Sequence, residues 1–250
     1  MSCTVSIITV VYNGAPTIRD CLASVASQTF PAEHIIIDGG STDDTLKIVS
    51  EFPHVSRIVS EPDQGMYDAM NKGIRLATGD IVGILNADDV YVDGHVLEKI
   101  AAAFAPGVDA VFADLVYVRP EDLQRVVRYY RADRFTPEQF ASGRMPPHPT
   151  VFLRRSVYEK YGLFKTDYRI AADFELLARF LARHRIAYRY LPEVIVKMRT
   201  GGVSTRGLTS NLVLNREILR ACRENGIRTN LVRVYSKYLT KIFQLVRKPT

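Results

Sequence analysis

Along the first hundred residues the apolar positions switch between two rhythms. Thr4–Tyr12 is a nearly continuous β-branched run, fit for a strand buried on both faces. Pro16 then opens a helix to about Thr29, with Ile18, Leu22, Val25 and Ala26 at helical spacing. The alternation repeats. His34–Asp38, Val55–Ser60 and Ile81–Leu85 read as strands, and Asp43–Phe52, Met66–Ala77 and Asp93–Phe104 as helices. Ser41 and Thr42 are caps for the first of these three helices. Strand and helix in turn, with short connections, predict an α/β fold with a doubly wound, mainly parallel sheet and flanking helices.

After Val108 the rhythm changes. Ala110–Val118 and Arg125–Tyr130 read as a hairpin or meander, and Phe135–Ser142 as a short helix. Arg144–Thr150 is a loop with three prolines. Ser156–Tyr161 and Ala171–His184 read as helical and Ile186–Met198 as a strand. Thr209–Asn225 and Leu231–Val246 form a helical C-terminal extension. The predicted organisation is a catalytic domain over 1–205, with halves 1–105 and 106–205, followed by a basic extension over 206–250.

Charge sharpens that boundary. The net charge is +6, but from Arg206 onward ten Lys/Arg face two Glu, a net of +8. The rest holds 23 basic against 25 acidic groups, so a nucleic-acid partner is not expected. There is no apolar run of eighteen residues and no signal-peptide pattern, which predicts a cytoplasmic protein. Cys3, Cys21 and Cys222 give neither a disulfide framework nor metal-ligand spacing.

In a doubly wound sheet, ligands bind outside the carboxyl ends of the strands. Three polar clusters fall at those ends: Tyr12-Asn13-Gly14, Asp38-Gly39-Gly40-Ser41 and Asn86-Ala87-Asp88-Asp89. Carboxylates at the end of a buried strand are costly unless paired or metal-bound, and a hard divalent cation takes oxygen ligands and bridges phosphates. A turn or cap role for Asp88 and Asp89 fits the same local pattern. Asp173 and Glu175 stand in the first turn of a helix, a place the helix dipole favours on its own and a place for a general base. The first strand exit is not Gly-x-Gly-x-x-Gly, and no phosphate-loop motif is present, which argues against dehydrogenases and P-loop kinases.

Together the segments Val5–Asn13, Ile36–Thr45, Ser60–Asn71, Ala77–Asp89, His148–Arg155 and Ala171–Glu175 resemble glycosyltransferase family 2, with its GT-A fold. Arg199–Ser204 resembles the loop that closes that family's site, and Ser60–Gly73 resembles the branch that builds bacterial surface polysaccharides. The resemblance covers roughly residues 4 to 204. It implies that Asp38 contacts the nucleobase and that Thr9, Tyr12 and Asn13 line the nucleotide pocket, with Asp68 and Asn71 also on the donor side. It implies Asp88 as metal ligand for Mn²⁺ or Mg²⁺, with Asn86 at the first position of the Asp-x-Asp element, where the family has a carboxylate. Met70 stands where many relatives place an arginine. Asp173 is the implied catalytic base, preceded by Ala172 where many relatives have Glu. Glu175 is an alternative base, and His148 falls on the acceptor side.

The implied reaction is a single displacement with inversion, moving a sugar from a nucleoside-diphosphate sugar to a saccharide or lipid-linked acceptor. A sugar nucleotidyltransferase would show a Gly-rich loop after the first strand, and a silent binding module would lack the base. The stripe of Leu231, Val234, Tyr235, Tyr238, Leu239, Ile242, Leu245 and Val246, beside Arg233, Lys237 and Lys241, fits an anionic membrane surface at the inner face of the cell membrane. It fits equally well packing on the catalytic domain or on a second subunit of a homodimer.

Overall fold

A computed structural model describes residues 3–201 and 208–235. The first half follows the expected alternation: β1 (Val5–Val11), α1 (Ile18–Ala26), β2 (Ala32–Asp38), α2 (Thr45–Ser50), β3 (Val55–Ser60), α3 (Met66–Leu76) and β4 (Ile81–Ile84). Then come β5 (Asp89–Tyr91), α4 (Val96–Ala103), β6 (Ala110–Arg119), β7 (Asp122–Tyr130), a 3₁₀ turn (Pro137–Ser142) and β8 (Phe152–Arg154). α5 (Arg155–Tyr161), α6 (Ala172–Leu177), β9 (Tyr188–Arg199) and α7 (Leu208–Glu224) complete the order. α6 runs on as a wider π turn over Ala178–Arg183.

The strands form one sheet in the order β3-β2-β1-β4-β8-β6-β9-β5, with β7 hairpinned on β6. β1, β2, β3 and β4 are parallel, and β6 and β9 are parallel to each other. Two of the antiparallel strands, β5 and β8, lie outside the elements read from the pattern. Each has three residues, too few to show a period, and each exists through distant partners: β8 pairs with β4 and β6, and β5 pairs with β9.

Strand alternation divides β1 between two layers. Ile8 and Val10 pack toward α3 and α6, whereas Ile7 and Val11 face the side of α1 and α4. Ile18, Cys21, Leu22 and Val25 form the buried stripe of α1. Gly73 lets α3 lie close on the sheet, because a Cβ there would come within 2.4 Å of Ile8 Cγ2. Ile218, Ala221 and Cys222 of α7 join the same core as α3 and α6. A further helix begins at 231–235; residues 236–246 of the predicted amphipathic helix lie outside the described residues. No helix among the described residues is long and apolar enough to cross a membrane.

Candidate active site

The sheet order makes the exits of β2, β1 and β4 neighbours, so at ~4.8 Å per strand they span about 10 Å. Asp38 ends β2 fully buried. Its Oδ2 accepts hydrogen bonds from Gly40 N (3.1 Å), Ser41 N (3.0 Å) and Ser60 Oγ (2.6 Å), and its Oδ1 accepts from Ser41 Oγ. Asn13 N donates to Ser41 Oγ at 2.8 Å, and Thr42 N donates to Asn13 Oδ1 at 2.9 Å. The two strand exits are thereby locked together. Asn13 has φ 50°, a left-handed conformation that asparagine tolerates better than most residues. The Tyr12 ring, 65% exposed, lies beside Gly39, where a Cβ would sit 2.6 Å from Asp63 Oδ2. Glycine keeps that gap between ring and acidic loop open.

At the β4 exit, Asp89 N bonds Asn86 O at 3.0 Å and Asn86 Nδ2 donates to Asp89 Oδ2 at 3.1 Å. Burial, and then the charge of Asp88, push the Asp89 carboxyl well above the usual range. Asp88 is half-buried and is also pushed up by burial, which the nearby Arg199 offsets only in part. Arg199 is committed elsewhere: it pairs with Asp20 and donates to the carbonyls of Asp88 (2.8 Å) and Pro120 (3.3 Å). Asn86 Oδ1 and Asp89 Oδ1 are buried with no hydrogen-bond partner. The cluster therefore has more oxygen acceptors than protein donors. Among the described residues no group of three or more His, Cys, Asp or Glu could hold a metal by itself.

Asp173 occupies the first turn of α6. Burial raises its carboxyl to about 6, against the hydrogen bonds from Phe174 N (2.8 Å) and Tyr67. Tyr67 Oη donates to Ile170 O at 2.5 Å and lies 3.5 Å from Asp173 Oδ1. Both contacts fall on Oδ1. Burial raises the phenols of Tyr117 on β6 and Tyr130 on β7.

Other sequence-predicted residues are turned inward. Thr9 shares the parity of Ile7 and Val11, and its hydroxyl sits 3.0 Å from His34 Nε2 and 3.7 Å from Cys21 Sγ, under α1 rather than on the rim. Asn71 bonds the backbone of Phe164 in both directions, at 2.8 and 2.9 Å, and so clamps α3 to the loop before α6. Asp68 accepts from Gln64 N at 3.1 Å and faces Lys72 at 3.7 Å. His148 is buried against the edge of Phe164, with ring centroids 5.6 Å apart, and burial lowers it to about 4. Phe164 in turn stacks on Tyr67, so His148 reaches the neighbourhood of the base through two rings. Glu175 is fully buried, held at 3.0 Å by both Arg179 and Lys165. A carboxylate so engaged is poorly placed to take a substrate proton. Tyr67 had no distinctive signal in the sequence, because its partners lie about a hundred residues away.

The chain is similar to known glycosyltransferases in sequence and in fold. A "PGL/p-HBAD biosynthesis glycosyltransferase" of Mycobacterium bovis is 32% identical over 220 residues, covering 86% of this chain and 82% of the relative. "Glycosyltransferase AglE" of Haloferax volcanii is 30% identical over 171 residues, covering 64% of this chain and 55% of the relative. Among solved structures, S. aureus TarS 1–349 in complex with UDP-GlcNAc superposes with TM-score 0.67 at 18% identity, over 90% of this chain and 68% of that one. The mannosyltransferase PcManGT of Pyrobaculum calidifontis, in complex with GDP-Man and Mn²⁺, gives TM-score 0.62 at 22% identity, over 100% of this chain and 82% of that one. These neighbours establish the GT-A fold. Residues 6–162 match the family described as "Glycosyl transferase family 2", and with that match and the relatives' identity, the chain belongs to glycosyltransferase family 2.

Proposed function

We propose that the enzyme transfers a sugar, with inversion, from a nucleoside-diphosphate sugar to a hydroxyl acceptor in surface-polysaccharide or glycolipid biosynthesis. The observation that carries this reading is Asp173, a half-buried carboxylate in the first turn of α6, raised to about 6 by burial and held on one oxygen by Phe174 N and Tyr67. A base of that kind is ionised at neutral pH yet basic enough to accept a hydroxyl proton in the transition state. Asp173 Oδ2 takes the acceptor's proton, the freed oxygen bonds the anomeric carbon, and the bond from that carbon to the diphosphate breaks. On the donor side, Tyr12 offers a face to the base and the Asp38 loop a fixed set of polar groups, with Asn13 holding them in register. Asn86, whose amide nitrogen is bonded to Asp89 Oδ2, serves this side by holding the β4 exit in shape.

The residues at the β4 exit suit a divalent cation such as Mn²⁺ or Mg²⁺. Asp88 is a desolvated carboxylate without a committed cation, and such ions are commonly held by one or two carboxylates together with substrate phosphates. When bound, the ion would neutralise charge on the departing diphosphate. The complexes of TarS with UDP-GlcNAc and of PcManGT with GDP-Man and Mn²⁺ support this class of donor and cofactor.

The test is a melting-temperature series with UDP- and GDP-sugars, with and without Mn²⁺. Donor binding should raise the melting temperature. Asp88→Ala should lose the metal-dependent part. A protein indifferent to every nucleotide sugar would remove the proposal.

We place the extension on the membrane side of the same reading. Leu231 (57% exposed) and Val232 (81%) stand in solvent, while Val234 packs into the core. The first turn of the last helix thus docks on the catalytic domain and still presents apolar surface beside Arg233. Salt-sensitive co-sedimentation with anionic but not neutral vesicles is expected. Equal partitioning onto both, or onto neither, removes this part.

A further inference from the structure

The loop that delivers Asp173 is held by a helix from further along the chain. Three successive backbone N–H groups, of Arg169, Ile170 and Ala171, converge on the carboxylate of Glu217 at 2.7, 2.9 and 2.9 Å. Glu217 belongs to α7, and it and the loop both lie past residue 162, where the family match ends. We propose that Glu217 is a positioning residue for the transfer reaction: by fixing the backbone of residues 169–171, it sets the place and orientation of the Asp173 carboxylate. The inference rests on the reading of Asp173 as the base.

The three donors lie at and just before the start of α6, where the residue before the helix, Ala171, has no side chain that can cap. Backbone N–H groups left without an acceptor away from water are costly, and Glu217 supplies that acceptor for all three. A concave set of successive N–H groups is a preferred seat for an anion, and three charge-assisted hydrogen bonds fix it more tightly than neutral ones would.

The same loop is gripped from the other side. Tyr67 Oη bonds Ile170 O at 2.5 Å and lies 3.5 Å from Asp173 Oδ1. Ile170 is thus pinned through its N–H by α7 and through its carbonyl by α3. α7 is itself anchored beside this loop: Glu224 bonds Lys165 (2.7 Å) and Tyr168 Oη (3.0 Å), and Arg220 pairs with Asp167. The titratable groups that act on Asp173 are Tyr67 on α3, Tyr130 on β7 and Glu217 on α7 among the described residues. Burial is the main cause of the raised proton affinity at Asp173, and the negative charge of Glu217 adds to it in the same direction.

The experiment uses the full chain and whichever of UDP-GlcNAc and GDP-mannose raises its melting temperature. Glu217→Gln, Glu217→Asp, Asp173→Asn and Ile218→Ala are compared. Each is assayed for donor affinity, for the rate of nucleoside diphosphate release and for the titration of the ¹³C-labelled Asp173 carboxyl. Glu217→Gln should bind donor like the wild type and release product on the order of 10²-fold more slowly, the scale of a small misplacement of a reacting group. It should also titrate Asp173 at lower pH. Glu217→Asp keeps the charge but not the reach, so the rate should fall with a smaller change in titration; this variant decides the matter if the Gln form does not fold. Ile218→Ala removes core packing of α7 and should lower the melting temperature without slowing release. The inference is overturned by a wild-type rate in a folded Glu217 variant, or by a loss that Ile218→Ala reproduces at equal stability. If Asp173→Asn releases product normally, the base assignment falls and the inference with it. A slow Asp173→Asn beside normal Glu217 variants sinks the inference alone.

Discussion

Two carboxylates, Asp38 at the end of β2 and Asp173 in the first turn of α6, are treated in opposite ways. Asp38 is buried among donors and accepts four hydrogen bonds from its own loop and from Ser60. Asp173 is buried with few donors, and desolvation raises it to about 6. The first arrangement spends a carboxylate on holding loop geometry. The second leaves a carboxylate poorly solvated and raised in proton affinity, the property the proposed base needs. The same functional group behaves differently according to what surrounds it.

The sharpest way to break this contrast is Asp173→Asn. The change is nearly isosteric, so the fold and donor affinity should survive while turnover falls by roughly 10²–10⁴-fold. Single-turnover nucleoside diphosphate release checks it. Glu175→Gln separates the two acidic residues of the same helix. It leaves Arg179 buried without its partner, a loss on the order of 3–5 kcal/mol. Chemical denaturation should show that loss, with turnover per folded molecule nearly unchanged. A smaller effect is expected from Asp38→Ala, which strands the donors of residues 40, 41 and 60 at a cost of about 1–3 kcal/mol. Binding of the nucleoside alone, followed by calorimetry, should weaken, since the strand exits no longer hold register.

The donor half was legible because its signals are local. Buried strand runs, helical spacing and polar exits recur within thirty residues of each other, and the sheet order then brings Tyr12, Asn13, Asp38 and Asn86 together. The inward turn of Thr9 was also within reach, since its parity with Ile7 and Val11 already assigns it to the α1 side. The other half depends on long-range pairing. β8 is defined by β4 and β6, Asn71 by the backbone of a residue 93 positions away, and the Asp173 loop by Glu217, 46 to 48 positions on. Nothing in the spacing of those residues marks them. Resemblance implied Asp173 as the base and offered Glu175 beside it, and the spacing of the two gives no sign that Glu175 is tied up by Arg179 and Lys165.

The central claim is that Asp173 acts as an ionised base made more basic by burial. A general base works only when deprotonated, so activity is present above its raised pKa and lost as pH falls through it. The direct measurement is the pH dependence of turnover with saturating donor, for the wild type and for Asp173→Asn. The account predicts an acid limb with its midpoint near the value of about 6 that burial imposes, and a residual rate in Asp173→Asn without that limb. An unchanged limb in the variant, or a wild-type profile flat down to pH 4, would contradict it.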